Sequence, residues 1–360
     1  MRKLAAVREI LAIDPIENAD RLELATILGW KVVVKKGEFQ VGDKVVYFEI
    51  DSILPEEDWS EFLRPRKFKV KTIKLRGQIS QGLALKLEEV GIPTDTLVGT
   101  DVTDCLGVTK QRERTSQNPV VNDSYRKTKW FFKYPLLRKI YFYFNPPLDK
   151  GWPEFIPKTD ETRVQNHPNI LYVTRNKNLY ETEKLDGQSY TAFFHRGKKT
   201  SFLARGLFGV CSRNIWLKTE ADNNWWDVTR KFQIKEGLEN YCRTHNVSLA
   251  IQGEIVGPRI QGNRYQLKDL DLFIFNIIDI DERRYLNYSE KKNILEALGL
   301  KPVPFLESSI PGGDVDYWLD RAEGPSSLNK NVEREGIVVR SILDDSFSFK
   351  AISNKFLLKS

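Results

Sequence analysis

The sequence is poor in cysteine and histidine, and it lacks any long apolar run. Among its 360 residues, cysteine occurs at 105, 211 and 242 and histidine at 167, 195 and 245. Odd, widely spaced cysteines indicate reduced thiols, so we expect a cytoplasmic or other reducing intracellular compartment. The histidines lack metal-ligand spacing, which argues against a zinc site or a histidine-based catalytic triad. No stretch reaches the roughly 20 apolar residues of a membrane helix, and no secretory signal or membrane partner is expected.

The net charge of +7 is concentrated in one segment. Residues 110–150 contain ten lysines or arginines against Glu113, Asp123 and Asp149, together with nine aromatic residues. Interleaved cations and aromatics suit a polyanionic backbone and stacked bases. Packing on the protein core explains most of the aromatics, while the surplus charge favours a nucleic-acid partner. We interpret residues 109–150 as a basic aromatic linker or helix.

The first part of the chain predicts a small β domain. The apolar segments 30–34 and 44–50, with turn residues between them, are typical of a hairpin, and further strands are expected at 68–73 and 82–87. Short strands with frequent turns suggest a five-stranded OB barrel. Residues 16–25 (IENADRLELA) resemble the opening of OB-type RNA-binding modules. Residues 1–108 are therefore interpreted as an OB-like nucleic-acid-binding domain.

From residue 151 onward, strand patterns alternate with helix patterns, as in an α+β domain. Residues 289–299 predict a short helix in which Ser289 is a possible N-cap and Gly299 ends the helix. We interpret residues 151–360 as one α+β domain.

Five segments in this second part carry residues that could take part in catalysis or ligand binding. They are 180–187 (YETEKLDG), 248–257 (SLAIQGEIVG), 270–279 (LDLFIFNIID), 333–340 (EREGIVVR) and 346–359 (SFSFKAISNKFLLK). On a strand, Lys184 and Asp186 would share a face, and Gly187 would permit a sharp turn. Each segment alone also fits an ordinary solvated turn, an edge strand or a core strand.

The third segment is apolar almost throughout, which is typical of a buried strand. Phe273 and Phe275 would lie on a common face of it. Core packing is one reading of both rings, and stacking on a ligand is the alternative.

The order of the five segments resembles motifs I, III, IIIa, IV and V of the covalent nucleotidyltransferases, the nucleic-acid ligases and mRNA capping enzymes. Residues 212–214 (SRN) resemble motif Ia. The likeness covers about residues 155–360 and is closest to the RNA ligase 2 group, specifically Naegleria-type ATP-dependent RNA ligases. Those enzymes carry an OB domain before the nucleotidyltransferase domain. Residues 157–166 (PKTDETRVQN) are similar to their lead-in to motif I.

This resemblance implies the fold and the activity. The fold would be α+β: a nucleotidyltransferase domain with antiparallel sheets and flanking helices, preceded by a small β-barrel OB-like domain. The activity would be ATP-dependent joining of RNA 3′-OH and 5′-phosphate ends through a covalent lysyl-AMP and an adenylylated 5′ end. The protein is expected to act as a monomer.

The resemblance also implies roles for individual residues. Lys184 would be the nucleophile, and Arg163 would contact the outer phosphates of ATP and Lys350 the α-phosphate. Arg213 would hold ribose or phosphate, while Phe275, with Phe273 as alternative, would stack on adenine. Relatives often have a second motif V lysine where Ser348 stands, so either Lys355 supplies that charge or no second charge is needed.

A divalent cation, Mg²⁺ or Mn²⁺, is implied with Asp186, Glu254 and Glu335 as ligands, either directly or through water. The pKa of a free lysine is near 10.4, so the nucleophile must lose a proton at neutral pH. A nearby cation and Lys350 would disfavour its charged form.

Three other functions are weighed against this one. A ligase for DNA or mixed RNA–DNA ends has the same chemistry, and an inactive OB-type nucleic-acid-binding protein would need only the OB-like module and the basic segment. DNA ligases and capping enzymes, including a GTP-using guanylyltransferase, place an OB domain after motif V. This sequence ends ten residues after Lys350, so neither is expected.

Overall fold

A computed structural model describes residues 3–110, 149–167, 169–197, 206–217, 220–309, 313–343 and 346–359. Most of the basic aromatic segment, 109–150, lies outside the described residues. Its interpretation as a linker or helix stays a prediction.

The N-terminal part is built from short strands, as its turn-rich sequence predicts. They are β1 (Ala5–Pro15), β2 (Leu22–Ile27), β3 (Trp30–Lys35), β4 (Lys44–Phe48), β5 (Ser52–Ile53), β6 (Thr72–Leu75), β7 (Gln78–Gln81), β8 (Leu83–Lys86) and β9 (Thr109–Lys110). Two 3₁₀ helices, Asp58–Arg66 and Glu88–Val90, lie between them. The main antiparallel sheet has the order β3-β2-β1-β4-β8.

The long strand β1 is shared by two halves of this sheet. It pairs with β4 in its first half and with β2 in its second, with a bulge between Ile10 and Ala12. A bulge bends a strand and increases its twist, which lets one strand serve both halves. In β3, Trp30, Val32 and Val34 are buried and alternate with less buried lysine and valine positions, as a half-buried strand requires.

The predicted hairpin between residues 30–34 and 44–50 is wrong. Both segments are strands, but β3 pairs with β2, whereas β4 pairs with β1 and β8. The tight hairpin turn lies instead at Leu28 and Gly29, and Leu28 has a φ of 54°. Alternation identifies a strand without specifying its partner, which explains the error.

The second part contains all the remaining strands and all six α-helices of the described residues. Its strands are β10 (Asp149–Gly151), β11 (Thr162–Arg163), β12 (Leu179–Lys184), β13 (Gln188–His195), β14 (Leu207–Cys211), β15 (Ile215–Leu217), β16 (Leu249–Val256), β17 (Asp271–Asp279), β18 (Arg284–Tyr285), β19 (Lys301–Pro302), β20 (Phe305–Ser309), β21 (Gly336–Ser341) and β22 (Ser348–Ile352). Its α-helices are α1 (Ile170–Thr174), α2 (Asn224–Lys231), α3 (Ile234–Thr244), α4 (Tyr288–Leu298), α5 (Val315–Ala322) and α6 (Asn354–Lys359), with 3₁₀ turns at Val164–Asn166 and Gln261–Asn263.

These strands form two sheets. One has the order β10-β15-β14-β13-β16-β17-β18, and the other has the order β11-β22-β21-β12-β20. Pairing is antiparallel except for two short parallel pairs, β17 with β19 and β11 with β22. The α+β fold with antiparallel sheets and flanking helices is therefore confirmed.

Each sheet buries one face against helices. The first packs on α2, α3 and α4 through an apolar cluster that includes Trp225, Leu238, Ile251, Ile274 and Leu295. The second packs on α5 through a cluster centred on Trp318, Ile337 and Phe349. The other face of each sheet, which carries polar side chains, contributes to a cleft.

The predicted helix at 289–299 is present as α4, but its N-cap is Asn287 and not Ser289. The Asn287 side chain accepts the backbone N–H of Glu290, and the Glu290 carboxylate accepts that of Asn287. This reciprocal pair is a capping box. Gly299, with a φ of 64°, ends the helix as expected.

Within the described part of the chain, no helix is long and apolar enough to cross a membrane.

Candidate active site

A cleft of about 490 Å³ lies where the chain passes from one sheet of the second part to the other. The passage is the short link of residues 185–187 between β12 and β13. Side chains from both sheets line this cleft, and so do residues of the N-terminal part, including Asp51 and Lys71.

Lys184 is the last residue of β12 and lies opposite Gly336, the first residue of β21. This register brings the ammonium of Lys184 to 2.7 Å from both carboxylate oxygens of the neighbouring Glu335. The rest of β12 is buried, while the Lys184 side chain is 26% exposed to the cleft. A buried strand thus places one partly exposed lysine in a polar cleft.

The carboxylates around Lys184 set its protonation. Burial by itself would lower the pKa of Lys184, but the charges of Glu335, Glu254 and Asp186 together raise it above its usual range. These carboxylates outweigh Lys350, and the expected effect of a bound cation together with Lys350 on this lysine stays a prediction. Lys184 is therefore an ammonium ion. It would lose its proton more easily if the negative charge of the neighbouring carboxylates were neutralised.

Glu254 comes from β16, in the other sheet, and it faces Lys184 across the cleft. Burial, followed by the charges of Glu335 and Asp186 and only partly offset by Lys184, raises the pKa of Glu254 to about 8. Burial and Asp186 likewise raise the pKa of Glu335. Like charges crowded into one site resist ionisation, so this cluster favours an added cation.

Asp186 lies two residues beyond Lys184 and lines the same cleft. Its backbone N–H donates to the hydroxyl of Tyr265 at 2.7 Å, and its carboxylate accepts from Arg264 at 3.1 Å. Both contacts fix the link that connects the two sheets.

The chain bends at Gly187, as expected, and the glycine also serves this link in a second way. It is not among the residues with positive φ. A β-carbon at Gly187 would collide with the carbonyl oxygen of Ile255 and come within 2.8 Å of the Glu254 side chain. Glycine is needed here because two backbones approach closely.

The opposite side of the cleft is cationic. Lys350 on β22 lies beside Arg163 on β11, because the two strands pair in parallel at that position. The ammonium of Lys350 contacts the carboxylate of Asp160 at 3.0 Å. Burial and the charges of Lys184 and Arg163 outweigh Asp160 and lower the pKa of Lys350.

Arg163 and Arg213 both line the cleft. Arg163 is 8% exposed, and its guanidinium forms a 2.9 Å ion pair with Asp51 of the N-terminal part. Arg213 lies in the turn between β14 and β15, and its charge lowers the pKa of Asp160 and opposes the rise in the pKa of Glu254.

The two candidate phenylalanines share one face of β17, as expected, but only one of them reaches the cleft. Phe275 is partly exposed and lines it, with the guanidinium carbon of Arg340 6.0 Å from its ring centroid. Phe273 is 8% exposed and packs in a cluster with Leu185 and Tyr265. Stacking on adenine is therefore open to Phe275 and not to Phe273.

Lys355 does not line the cleft. It is exposed on α6, where its ammonium lies 3.6 Å from the carboxylate of Glu323. The expected second cation of the last motif is therefore not supplied to the cleft by Lys355.

Sequence reasoning missed several lining residues. Arg340 is 2% exposed and binds Glu161 at 2.9 Å and Thr182 at 3.3 Å. One signal was available, because Arg340 is the only charged residue in the apolar run 337–342, and a buried arginine needs partners. Asp51 gave no comparable signal, since its contact joins residues 112 positions apart.

The cleft residues fit a hard divalent cation. The described residues contain no preassembled group of three histidine, cysteine, aspartate or glutamate side chains with metal-binding geometry. Mg²⁺ keeps several waters and needs only one or two carboxylates, so it does not require such a group. Carboxylate oxygens of Asp186, Glu254 and Glu335 are the appropriate donors, and burial together with the charges of Glu335 and Asp186 raises the pKa of Glu254.

Two family models match the sequence. One, described as RNA ligase, matches residues 177–352, and the other, described as an OB-fold domain, matches residues 4–87. Part of the chain is also 31% identical, over 105 residues, to the phenylalanine–tRNA ligase β subunit of Geobacter metallireducens; the match spans 12% of that protein's length.

Solved structures of an RNA ligase from Naegleria gruberi resemble the whole chain. A variant with ATP and manganese is 35% identical, covers 99% of both chains and has a TM-score of 0.82. A variant with AMP and manganese is 35% identical, with coverage of 100% of this chain and 99% of that one and a TM-score of 0.80. The same ligase with pyrophosphate is 36% identical, with the same coverage and TM-score.

Proposed function

This chain belongs to the RNA ligase family and is an ATP-dependent RNA ligase, and we propose that Lys184 is the residue that carries AMP. One observation supports the assignment above all others: the Lys184 ammonium lies in a cleft between carboxylates and cations. A nucleophile, acidic groups for a cation and basic groups for phosphates are the parts that phosphoryl-type transfer requires.

The reaction proceeds in three steps. The Nζ atom of Lys184 attacks the α-phosphorus of ATP, a nitrogen–phosphorus bond forms, and pyrophosphate leaves. The 5′-phosphate of an RNA end then attacks the same phosphorus and releases Lys184. Finally a 3′-OH attacks the adenylylated 5′-phosphate, forms the phosphodiester and releases AMP.

The protonation of Lys184 controls the first step, because only the neutral amine can attack. Both oxygens of Glu335 lie 2.7 Å from the ammonium of Lys184. A bound Mg²⁺ or Mn²⁺, held by Asp186, Glu254 and Glu335, would neutralise these carboxylates and the phosphate charge. Lys350 and Arg163 add positive charge nearby, which further favours loss of the proton.

ATP would lie across the cleft with its base and its phosphates in separate regions. Phe275 offers an aromatic face for adenine. Lys350 would contact the α-phosphate as a point charge, and Arg163 would contact the outer phosphates. Arg213, in its turn beside the cleft, would hold ribose or phosphate.

The test of this function is transfer of label from ATP to the protein. Folded protein, free of prior AMP, is incubated with α-labelled ATP, GTP or NAD⁺ and Mg²⁺ or Mn²⁺, then separated on a denaturing gel. Label should remain on the chain only with ATP and should disappear in Lys184→Ala. Label that survives in Lys184→Ala would move the nucleophile elsewhere, and absence of label under every condition would favour a binding protein.

The substrate is proposed to be broken or nicked RNA with 3′-OH and 5′-phosphate ends. Nicked duplexes that differ only in RNA or DNA on the 3′-OH side test this choice. Faster sealing with RNA supports it, and equal or faster sealing with DNA would assign a DNA or mixed-end ligase instead.

We also propose that the protein acts as a monomer in a reducing compartment. Cys211 and Cys242 are free and buried, and Cys105 is free and exposed. Burial raises the pKa of Cys211 and of Cys242 to about 12, so neither is a ready thiolate. For the chain as a whole, the proposed division is an OB-like domain at 1–108, a linker at 109–150 and a catalytic domain at 151–360.

A further inference from the structure

The segment that carries Arg163 is fastened to the N-terminal part of the chain. Its Arg163 guanidinium contacts the Asp51 carboxylate at 2.9 Å, and the backbone carbonyl of Gln165 accepts the N–H of Gly29 at 2.9 Å. Asn166 donates to the Glu49 carboxylate at 2.9 Å and accepts from the indole of Trp30 at 2.8 Å. Contacts of this density fix the segment relative to the N-terminal sheet.

Asp51 itself is placed at the edge of the cleft by an unusual backbone. It follows β4 with a φ of 71°, and its N–H donates to the carbonyl of Val70. Aspartate and asparagine tolerate this left-handed conformation better than most residues. The carboxylate is 42% exposed on the cleft side, whereas Arg163 is 8% exposed.

We infer that Asp51 is a positioning residue for Arg163, so that the N-terminal module takes part in formation of lysyl-AMP. This inference rests on the proposed function, in which Arg163 contacts the outer phosphates of ATP. Asp51 touches no reacting atom and acts through the guanidinium that it holds.

A physical reason supports this role. Arginine loses rotamer freedom worth about 2 kcal/mol when it is fixed, and a partner that fixes it beforehand removes that cost from ligand binding. Arg163 also lies beside Lys350, and the two cations repel each other. The Asp51 carboxylate offsets this repulsion on one side of the guanidinium, while the Trp30 ring, centred 5.7 Å from the guanidinium carbon, limits its movement on another.

The inference predicts an effect on one step only. The β- and γ-phosphates are present when Lys184 attacks ATP, but they are absent when the enzyme seals an RNA end that already carries AMP. A residue that acts through Arg163 on these phosphates must therefore affect the first step. A residue that only stabilises the fold would affect both reactions.

The main test is Asp51→Asn, which keeps the shape and the backbone preference and removes the charge. The rate of lysyl-AMP formation at subsaturating ATP should fall roughly tenfold or more, since small misplacements of a binding group cost that much. Sealing of pre-adenylylated RNA by the same variant should stay within about twofold of the unsubstituted enzyme. Asp95→Asn, at an exposed carboxylate of the same module outside the cleft, is the matched control and should change neither rate.

Two further measurements separate positioning from general stability. Asp51→Asn should weaken binding of inorganic pyrophosphate, measured by calorimetry, and Asp95→Asn should not. In an Arg163→Lys background, which keeps a charge without the planar fork, Asp51→Asn should cause much less additional loss of adenylylation.

The inference is overturned if Asp51→Asn lowers both reactions equally, if it leaves lysyl-AMP formation unchanged, or if its effect is equally large in the Arg163→Lys background. Absence of label on the unsubstituted enzyme would instead refute the proposed function itself, and label retained by Lys184→Ala would refute the assignment of Lys184 as the nucleophile.

Discussion

At the scale of single residues, three cations of the cleft are paired with anions. Lys184 binds Glu335, Lys350 binds Asp160, and Arg163 binds Asp51. Each pairing holds a long side chain in a defined place. The bound phosphates of ATP must compete for these cations, so binding and charge rearrangement are coupled.

Lys350 and Lys355 form a natural pair for comparison, since both lie near the end of the chain. Lys350→Ala should lower the rate of lysyl-AMP formation about 100-fold or more, because a buried cation beside the developing phosphate charge is lost. The rate of lysyl-AMP formation by Lys355→Ala should stay within about twofold of that of the unsubstituted enzyme, because the exposed ion pair of Lys355 with Glu323 contributes about 0–1 kcal/mol. Rates of label transfer from ATP check both variants, and a large loss in Lys355→Ala would restore it as the second motif V lysine.

Glu254 should make the stability of the ligand-free protein depend on pH. Its pKa is about 8 in the fold and near 4.3 in an unfolded chain, so folding keeps a proton that the unfolded chain releases. Glu254 therefore makes no pH-dependent contribution to the free energy of unfolding below pH 4.3. Its contribution lowers this free energy as pH rises toward 8, and the effect then levels off. Glu254→Gln lacks this loss, and its advantage over the unsubstituted protein should grow by on the order of 4 kcal/mol between pH 5 and pH 9.

Urea unfolding at several pH values, with chelator and without nucleotide, measures this difference. A constant difference between the two proteins across that range would show that Glu254 is ionised in the fold.

At the scale of elements, the site depends on register between strands that are distant in sequence. β12 and β21 align Lys184 with Gly336, and β11 and β22 align Arg163 with Lys350. A shift of one residue would turn each of these side chains to the other face of the sheet. The buried faces of the same strands, packed on α5, hold the register that the chemistry needs.

Helix α4 supplies a test of capping at this scale. Asn287→Ala should lower the free energy of unfolding by about 0.5–2 kcal/mol, because it removes the side chain that accepts the N–H of Glu290. Ser289→Ala, one position inside the helix, should change it by no more than about 0.5 kcal/mol. Urea unfolding measures both, and equal losses would return the N-cap to Ser289.

At the scale of the whole molecule, the two parts of the chain share a core. Ile352 and Leu357, from β22 and α6, belong to the apolar cluster that contains Ile10, Val45 and Tyr47 of the N-terminal sheet. Gln81 also donates to Asn354 at 3.0 Å across the same boundary. The strand that carries Lys350 is therefore supported by the N-terminal module as well as by its own sheet.

A pair of adjacent leucines tests this shared core. Leu357→Ala should lower the free energy of unfolding by about 2–5 kcal/mol, because it removes a side chain that is only 9% exposed and packs between the two parts. It should also increase hydrogen exchange in β4 of the N-terminal sheet. Leu358→Ala, at a 39%-exposed position, should do neither. Exchange that increases only in the second part after Leu357→Ala would show that the two parts are energetically independent.

The sequence by itself determined the kind of protein and most of the reactive residues. The order of the motifs indicated the family. Composition and the alternation of apolar residues predicted the α+β and OB-like fold, because these signals are local. Lys184, Asp186, Glu254, Glu335 and Lys350 lie together in the cleft, as do Arg163, Arg213 and Phe275.

Only the tertiary structure decided which strands pair, which phenylalanine reaches the cleft and which lysine stays outside it. It also brought Asp51 to Arg163 and Glu161 to Arg340. The physical reason is the same in each case: these outcomes depend on register and on contacts between residues far apart in sequence. A local pattern shows that a residue can be buried or charged, but the packing of distant strands determines what it meets.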